Sequence, residues 1–214
     1  MLSRAQLLAA AGLLAAALHL AFLDAGLAWR LSTKAVPLLC LMLWVRARPP
    51  STYSGAIGLG LGASLVGDEL LEIEDLFLAG LAAFLCAQLC YAYAFWSECR
   101  RPAWLRGLPF LLVLGSVYAK LWPGLGSLAV PVGVYASAFG LGLWRASACV
   151  GATARGRGPE WLALTGVLLF ATSDCLIGWT RFQAPVPGAT HAIMVLYWAG
   201  QTLIALSVEP RLRR

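Results

Sequence analysis

The segment GVLLFATSDCLIGWTRF, residues 166–182, is an apolar run that carries one carboxylate, Asp174, deep inside it. Its length and apolarity are typical of a helix that crosses a bilayer. An ionisable side chain within such a span is costly and rare unless it faces a cavity or a partner, so Asp174 is a candidate functional residue.

A second stretch repeats this pattern. Residues 56–71, AIGLGLGASLVGDELL, form another apolar run that ends on a carboxylate, Asp68. Both acids follow a small residue and precede a leucine by two positions, in the sequences GDELL and SDCLI. We expect the rest of the chain to act as a scaffold that brings Asp68 and Asp174 together.

The composition predicts a polytopic membrane protein. Hydrophobic residues make up 60% of the 214 residues and charged residues only 12%, whereas soluble domains are about half apolar and about a quarter charged. The net charge of +6 does not indicate nucleic-acid binding, because the basic residues occur one to three at a time between apolar runs and form no basic face.

Eight apolar runs are predicted to cross the bilayer as an all-α bundle in a single domain, residues 1–214. The first resembles a signal peptide, but no convincing small-x-small cleavage site closes it and seven more runs follow it. The connections are short and carry helix breakers, Pro123-Gly124 among them, which leaves no room for a separate soluble domain. The predicted spans are residues 6–23, 32–45, 53–71, 76–96, 104–121, 125–148, 160–179 and 189–208.

The distribution of basic residues predicts the orientation. Twelve lie on the side of the N-terminus and four on the other, so we expect both termini in the cytoplasm. In a bacterium such a helical protein would lie in the inner membrane, because outer-membrane proteins are barrels. The twelve are Arg4, Arg46, Arg48, Arg100, Arg101, Arg106, Arg145, Arg155, Arg157, Arg211, Arg213 and Arg214, and the four are Arg30, Lys34, Lys120 and Arg181.

This topology predicts that the two acids lie at one depth. The third and seventh spans begin at the same face, and each acid follows about 15 residues later, at about 1.5 Å per residue. An acid on one helix and a glutamine on the next, Gln88 or Gln201, occur in both halves, which indicates two parallel four-helix repeats.

Other polar side chains in the outer half should also turn inward because of their burial cost. They are His19, Lys34, Arg181 and Tyr197. Glu69, beside Asp68, is a further candidate for binding substrate. It also begins an acidic stretch with Glu72, Glu74 and Asp75, which we expect to form a solvated outer turn.

The residue types favour acid–base chemistry. A metal site is poorly supported, because the two histidines stand in unlike positions and the sequence has no HExxH motif. A serine hydrolase is also poorly supported, because the sequence has no GxSxG elbow. The six cysteines lie mostly in apolar runs without a CxxC pair, and we expect them to serve in ordinary packing. We predict no cofactor.

Two carboxylates in a dry setting can supply one protonated acid and one ionised base for the hydrolysis of an acid-labile bond. Lys34 and Arg181 can bind an anionic phosphate.

The ordered motifs resemble the YhhN-type lysoplasmalogenase family over most of the chain, roughly residues 32–207. The matching features are Lys34-x-x-Pro37, Gly67-Asp68 followed by Leu70, Phe84 with Tyr91 and Phe95, Leu168-Leu169-Phe170-x-x-Ser173-Asp174-x-Leu176, Arg181-Phe182, and Tyr197-x-x-x-Gln201-x-Leu203-Ile204.

The resemblance implies an integral membrane hydrolase that cleaves the vinyl-ether bond of a lysophospholipid, a lysoplasmalogen, to give a fatty aldehyde and glycerophosphoethanolamine or glycerophosphocholine. The family's acidic motifs fall on Asp68 and Asp174, and its polar partners on Lys34, Tyr197 and Gln201. Members often carry histidine at the position of Gln88, so the chemistry here would depend on the carboxylates. We assign the acid to Asp174 and the base to Asp68.

Three alternatives stay open on the sequence alone. Inward acids and an internal repeat also describe a proton-coupled transporter. A different lipid hydrolase would use the same acid pair on ester or amide bonds, and a scaffold protein would tolerate loss of both acids. The sequence does not indicate the oligomeric state.

Overall fold

The computed structural model describes residues 3–209, the side chain of Glu74 excepted. These residues form an all-α bundle, which confirms the predicted class, with two short 3-10 turns at Glu74–Leu76 and Gly126–Leu128. No strand occurs among the described residues. The helices are α1 (Arg4–Ala21), α2 (Leu27–Arg46), α3 (Thr52–Leu71), α4 (Phe77–Glu98), α5 (Trp104–Leu125), α6 (Ala129–Cys149), α7 (Arg157–Phe182) and α8 (Ala189–Leu206).

The prediction that Pro123-Gly124 ends a helix is wrong. Helix α5 contains both residues and continues to Leu125. A proline removes one backbone hydrogen bond, but a helix in apolar surroundings keeps the remaining ones and is rarely broken by it. The turn comes at Gly126, whose φ of +49° suits glycine.

Six helical stretches in the described part of the chain are long and apolar enough to cross a membrane. The protein is therefore a multi-pass membrane protein. The six are α1, α2, α4, α7, α8 and the stretch Trp104–Cys149, which joins α5 and α6; α3 is not among them. Eight separate crossings and the four-helix repeats stay predictions. Arg211, Arg213 and Arg214, which entered the charge count, lie outside the described residues.

Most helices pack against a neighbour in sequence, and glycines allow two of these pairs to approach closely. Gly166 on α7 meets Gly200 on α8, where a Cβ on either residue would lie 2.7 Å from the carbonyl oxygen of the other. Gly60 on α3 lies against the ring of Tyr91 on α4, and an added Cβ would overlap that ring. The α3–α4 and α7–α8 pairs are the most extensive contacts in the bundle.

The bundle has two ends that differ in their polar contacts. The end that carries the α2–α3, α4–α5 and α6–α7 loops, which we call the terminal end, is held together by arginines. Arg145 is fully buried and donates to the carbonyls of Cys99 and Arg101, while Arg155 pairs with Glu98. The opposite end, which carries the α1–α2, α3–α4, α5–α6 and α7–α8 loops, contains both predicted acids, and we call it the site end.

Candidate active site

A buried ionic network surrounds Asp68 near the site end of α3. Lys34 on α2 lies with its Nζ 3.5 Å from Oδ1 of Asp68 and 2.8 Å from Oε1 of Glu72. The same ammonium donates to the backbone carbonyl of Asp68 at 3.3 Å. Asp68 is 3% exposed and Lys34 6% exposed. Because burying an unpaired charge is very costly, this pairing favours the ionised form of both groups.

Glu72 corrects one prediction, because it does not belong to a solvated acidic turn. Its carboxylate also pairs with the Nε of Arg30 at 3.4 Å, and only 17% of its side chain is exposed. Burial works against its ionisation, but the Lys34 ammonium and the Arg30 guanidinium outweigh it and lower the pKa of Glu72. The sequence held a signal for this contact, since residues four apart share one face of a helix, as Asp68 and Glu72 do.

Two further helices hold the surroundings of Asp68. The hydroxyl of Tyr197 on α8 donates to Oδ2 of Asp68 at 2.6 Å. One turn further along α8, Gln201 donates to Oγ of Ser64 at 3.0 Å and accepts from the hydroxyl of Tyr91 at 2.7 Å. Gln201, Ser64 and Tyr91 are fully buried. This chain of hydrogen bonds fixes α3, α4 and α8 to one another beside the acid.

Asp174 has a different environment. It is half-buried on α7, and its Oδ2 accepts a hydrogen bond from the hydroxyl of Tyr135 on α6. Among the described residues no lysine or arginine forms an ion pair with Asp174. The sequence reasoning missed Tyr135, because a single tyrosine within the sixth apolar run carries no distinguishing pattern.

The two acids do not share a hydrogen bond. They lie at opposite ends of a contiguous aromatic cluster, in which Tyr197 packs against Phe170 with ring centroids 5.1 Å apart, Phe170 against Phe139 at 5.2 Å, and Phe139 against Tyr135 at 5.2 Å. Phe84 packs on both Phe170 and Tyr197. The scaffold therefore links the acids through apolar side chains and leaves them without direct contact.

An apolar cavity of about 100 Å³ opens beside Asp174. The carboxylate and the hydroxyls of two tyrosines are its main polar groups, and Asp68 is not part of its wall. The wall consists of Leu71, Phe77, Leu81, Phe84, Leu114, Val117, Tyr118, Leu121, Val132, Tyr135, Ala136, Phe139, Ala171, Asp174, Cys175, Ile177, Gly178 and Phe182.

Arg181 lies at the rim of this cavity. Its guanidinium carbon is 3.8 Å from the ring centroid of Phe77, which belongs to the cavity wall. The side chain is exposed, in contrast to the inward orientation that we predicted for it. An exposed position costs a guanidinium less than burial among apolar helices, and it leaves the group able to bind an anion.

The remaining predicted residues, His19, Glu69 and Gln88, form no hydrogen bond or ion pair with Asp174 in the described part of the chain. His19 is buried, and its Nδ1 lies 2.9 Å from Oγ1 of Thr33. It faces a polar hollow of about 480 Å³ that Arg30 and Glu72 also line. Glu69 has one buried carboxylate oxygen without a hydrogen-bond partner in the described part of the chain.

Gln88 is fully buried, and neither its amide nitrogen nor its amide oxygen has a hydrogen-bond partner among residues 3–209. A Cβ on Gly142 of α6 would lie 3.9 Å from its amide oxygen. The two glutamines that suggested an internal repeat therefore differ, because Gln201 is fully engaged. No cluster of three or more potential metal ligands occurs in the same described residues.

The fold and the site together define a multi-pass α-helical membrane protein with two acids at one end of the bundle, one ion-paired and one facing an apolar cavity. The chain belongs to the YhhN family, which matches residues 29–208.

Relatives of this chain include mammalian and bacterial proteins. It is 40% identical to lysoplasmalogenase TMEM86A of Bos taurus over 83% of this chain and 78% of that protein. It is 34% identical to lysoplasmalogenase TMEM86B of Sus scrofa over 84% and 76% of the two chains. A lysoplasmalogenase of Mycobacterium tuberculosis is 36% identical over 66% of this chain and 55% of its own length. No solved structure matches the chain.

Proposed function

We propose that the protein is a lysoplasmalogenase, which hydrolyses the vinyl-ether bond of a single-chain ether phospholipid within the membrane. The observation that carries this proposal is the position of Asp174 in the wall of an apolar cavity without a cationic partner in the described part of the chain. The names of the relatives support it independently.

Asp174 serves as the general acid. A carboxyl group in apolar surroundings, away from cations, retains its proton more readily than one in water. Its Oδ2 accepts from Tyr135, which leaves Oδ1 to carry the proton into the cavity. Vinyl ethers hydrolyse through rate-limiting protonation of carbon, so a positioned acid accelerates the slow step.

The reaction then runs to completion with one water. The proton of Asp174 adds to the β-carbon of the vinyl ether, and the electron pair of the double bond forms the new C–H bond, leaving an oxocarbenium ion. Water adds to the cationic carbon and loses a proton, which restores the acid form of Asp174. The resulting hemiacetal breaks its bond to the glycerol oxygen, its hydroxyl proton passes to that oxygen, and a fatty aldehyde and a glycerophospho-alcohol leave.

Asp68 serves as the ionised partner of this pair. Lys34 and Tyr197 hold its carboxylate in the charged form on the other side of the aromatic cluster. A negative charge in a medium of low dielectric stabilises positive charge at longer range than it would in water. Asp68 therefore favours the oxocarbenium ion at long range. The role of base assigned to it from the sequence stays a prediction, because Asp68 does not line the cavity beside Asp174.

The other polar residues position these groups or bind the substrate. Lys34 already holds two carboxylates, so we assign it to orienting Asp68, with Tyr197 and Gln201 in supporting roles. The exposed Arg181 at the cavity rim binds the lipid phosphate. His19, Glu69 and Gln88 stay candidates for contacts with the polar part of the substrate.

The proposal includes the finer topology. All eight helices cross the bilayer, related by two parallel four-helix repeats, and both termini face the cytoplasm, as the charge distribution predicts. In a bacterium the membrane would be the inner one. The lysophospholipid substrate would reach Asp174 from the bilayer.

The test measures fatty aldehyde released by the detergent-purified protein from a lysoplasmalogen in D₂O. We expect aldehyde that carries one deuterium on the carbon next to the carbonyl, because that carbon receives the acid proton. The acyl lysophospholipid and the saturated alkyl-ether lipid should release none. Ester cleavage of the acyl lipid would indicate a different lipid hydrolase. No aldehyde from a folded protein would overturn the proposal and favour the transporter alternative.

A further inference from the structure

A second apolar hollow lies between α5 and α6, on the surface of the bundle. Its volume is about 650 Å³. It shares three residues, Leu114, Tyr118 and Ala136, with the cavity beside Asp174. The hollow and the cavity are therefore neighbouring parts of one apolar surface, and we call the hollow the α5–α6 groove.

Two glycines leave open space in the groove. Gly115 on α5 and Gly140 on α6 line it, and an added Cβ would meet nothing within 4 Å at Gly115 and only Leu114, at 3.7 Å, at Gly140. Gly107 and Gly133 also line the groove, but the side chains of Trp144 and Tyr118 fill the space beside them. At the far end Trp104 stacks on Trp144, with ring centroids 4.5 Å apart, and both rings belong to the wall. The groove thus runs from Asp174 toward the terminal end of the bundle.

The length of the groove suits a lipid chain. From Tyr118 to Trp104 the α5 helix rises by about 21 Å, at about 1.5 Å per residue. The hydrocarbon core of a bilayer is about 30 Å thick, so a lipid chain in one leaflet spans about 15 Å, which is less than the length of the groove. A fatty chain that starts at Asp174 would therefore fit along the groove in an extended form.

We infer that the α5–α6 groove binds the hydrocarbon chain of the lipid substrate, with Gly115 as a determinant of chain length. This inference rests on the proposed function. The order of groups along the protein is Arg181, Asp174, groove, which matches the order of phosphate, vinyl ether and hydrocarbon chain along the lipid. One groove also accommodates one chain, as a single-chain lipid requires.

The first arm of the test is the variant Gly115→Leu. A Cβ at Gly115 meets no atom within 4 Å, so the larger side chain would project into the groove without a clash in the bundle. Gly115 lies only about 4.5 Å along α5 from Tyr118, so we use a butenyl lysoplasmalogen as the chain that stops short of it. We expect hydrolysis of an octadecenyl lysoplasmalogen to fall by about tenfold or more relative to the butenyl one, since pocket contacts discriminate at this level. Equal effects on both chain lengths would overturn the inference.

Gly55→Leu is the matched control. Gly55 is also an exposed glycine within a helix, and a Cβ there also meets no atom within 4 Å. It lines a separate hollow between α3 and α4. This variant should keep the chain-length ratio of the unchanged protein.

The second arm needs neither turnover nor a variant. An acyl lysophospholipid with a diazirine at the end of its chain is photolysed with the unchanged protein, and the labelled peptides are identified by mass spectrometry. We expect labels in residues 104–111 and 140–144. Labels confined to residues 52–59 and 89–93, at the α3–α4 hollow, would overturn the inference. Failure of the unchanged protein to release aldehyde would overturn the proposed function alone, because photolabelling reports the groove directly.

Discussion

At Lys34 one ammonium contacts two carboxylates, Asp68 at 3.5 Å and Glu72 at 2.8 Å, in a part of the bundle that water hardly reaches. The pairing determines the charge of Asp68, because an isolated buried carboxylate would take up a proton instead. Asp174 lacks such a partner in the described residues and contacts only a tyrosine hydroxyl. The two acids thus differ in electrostatic environment because of their neighbours.

The network predicts a coupling between Lys34 and Asp68. Lys34→Met leaves a buried carboxylate without its cation and should lower the free energy of unfolding by about 3–5 kcal/mol. The double variant Lys34→Met/Asp68→Asn should recover part of that loss, because it removes both charges. Thermal unfolding in detergent measures Lys34→Met, Asp68→Asn and the double variant. Additive effects of the two changes would contradict the coupling.

Glu72 makes the network sensitive to acid. Its pKa is lower in the folded protein than its ordinary value of 4.5, so ionisation stabilises the fold above that value. This stability is lost as the pH falls through the folded pKa. We therefore expect the unfolding temperature to drop as the pH is lowered below about 4.5. Glu72→Gln should show a smaller drop over the same range, and an unchanged pH dependence in that variant would contradict the assignment.

At the scale of the elements, glycines set the distance between α7 and α8 and thereby the positions of Asp174 and Tyr197. Gly166→Ala would place a Cβ 2.7 Å from the carbonyl oxygen of Gly200. We expect a loss of about 1–3 kcal/mol in the free energy of unfolding, because the helices must separate. Gly55→Ala, where a Cβ meets nothing within 4 Å, should be neutral or stabilising. Similar unfolding temperatures for the two variants would contradict this account of the helix contact.

At the scale of the whole molecule, the charge distribution predicts which end of the bundle faces the cytoplasm. Ala154 in the α6–α7 loop and Ala184 in the α7–α8 loop are exposed at opposite ends. A membrane-impermeant maleimide applied to intact cells should label Ala184→Cys and spare Ala154→Cys, with labelling of the native cysteines subtracted as background. The reverse pattern would invert the orientation.

The sequence predicted the helical class and the positions of most helices, because long apolar runs are a direct consequence of a bilayer environment. It also singled out Asp68 and Asp174, whose catalytic roles stay a prediction. It did not predict the end of α5, since Pro123 is tolerated where the helix keeps its other hydrogen bonds. It also assigned Glu72 to solvent, because Lys34 contacts it only after α2 and α3 pack together. Tyr135 was missed for the same reason: its partner Asp174 is 39 residues away in sequence.

The central claim is that Asp174 is the acid that protonates the vinyl ether, and the most direct measurement compares aldehyde release by Asp174→Asn with that of Glu209→Gln. Glu209 follows α8 at the terminal end, where its half-exposed carboxylate pairs with Arg48 away from the apolar cavity. An amide cannot donate this proton, so we predict that Asp174→Asn loses about 100-fold or more of the rate, typical of general acid catalysis. Glu209→Gln should keep the full rate. A folded Asp174→Asn protein that released aldehyde at the rate of the unchanged protein would contradict the account.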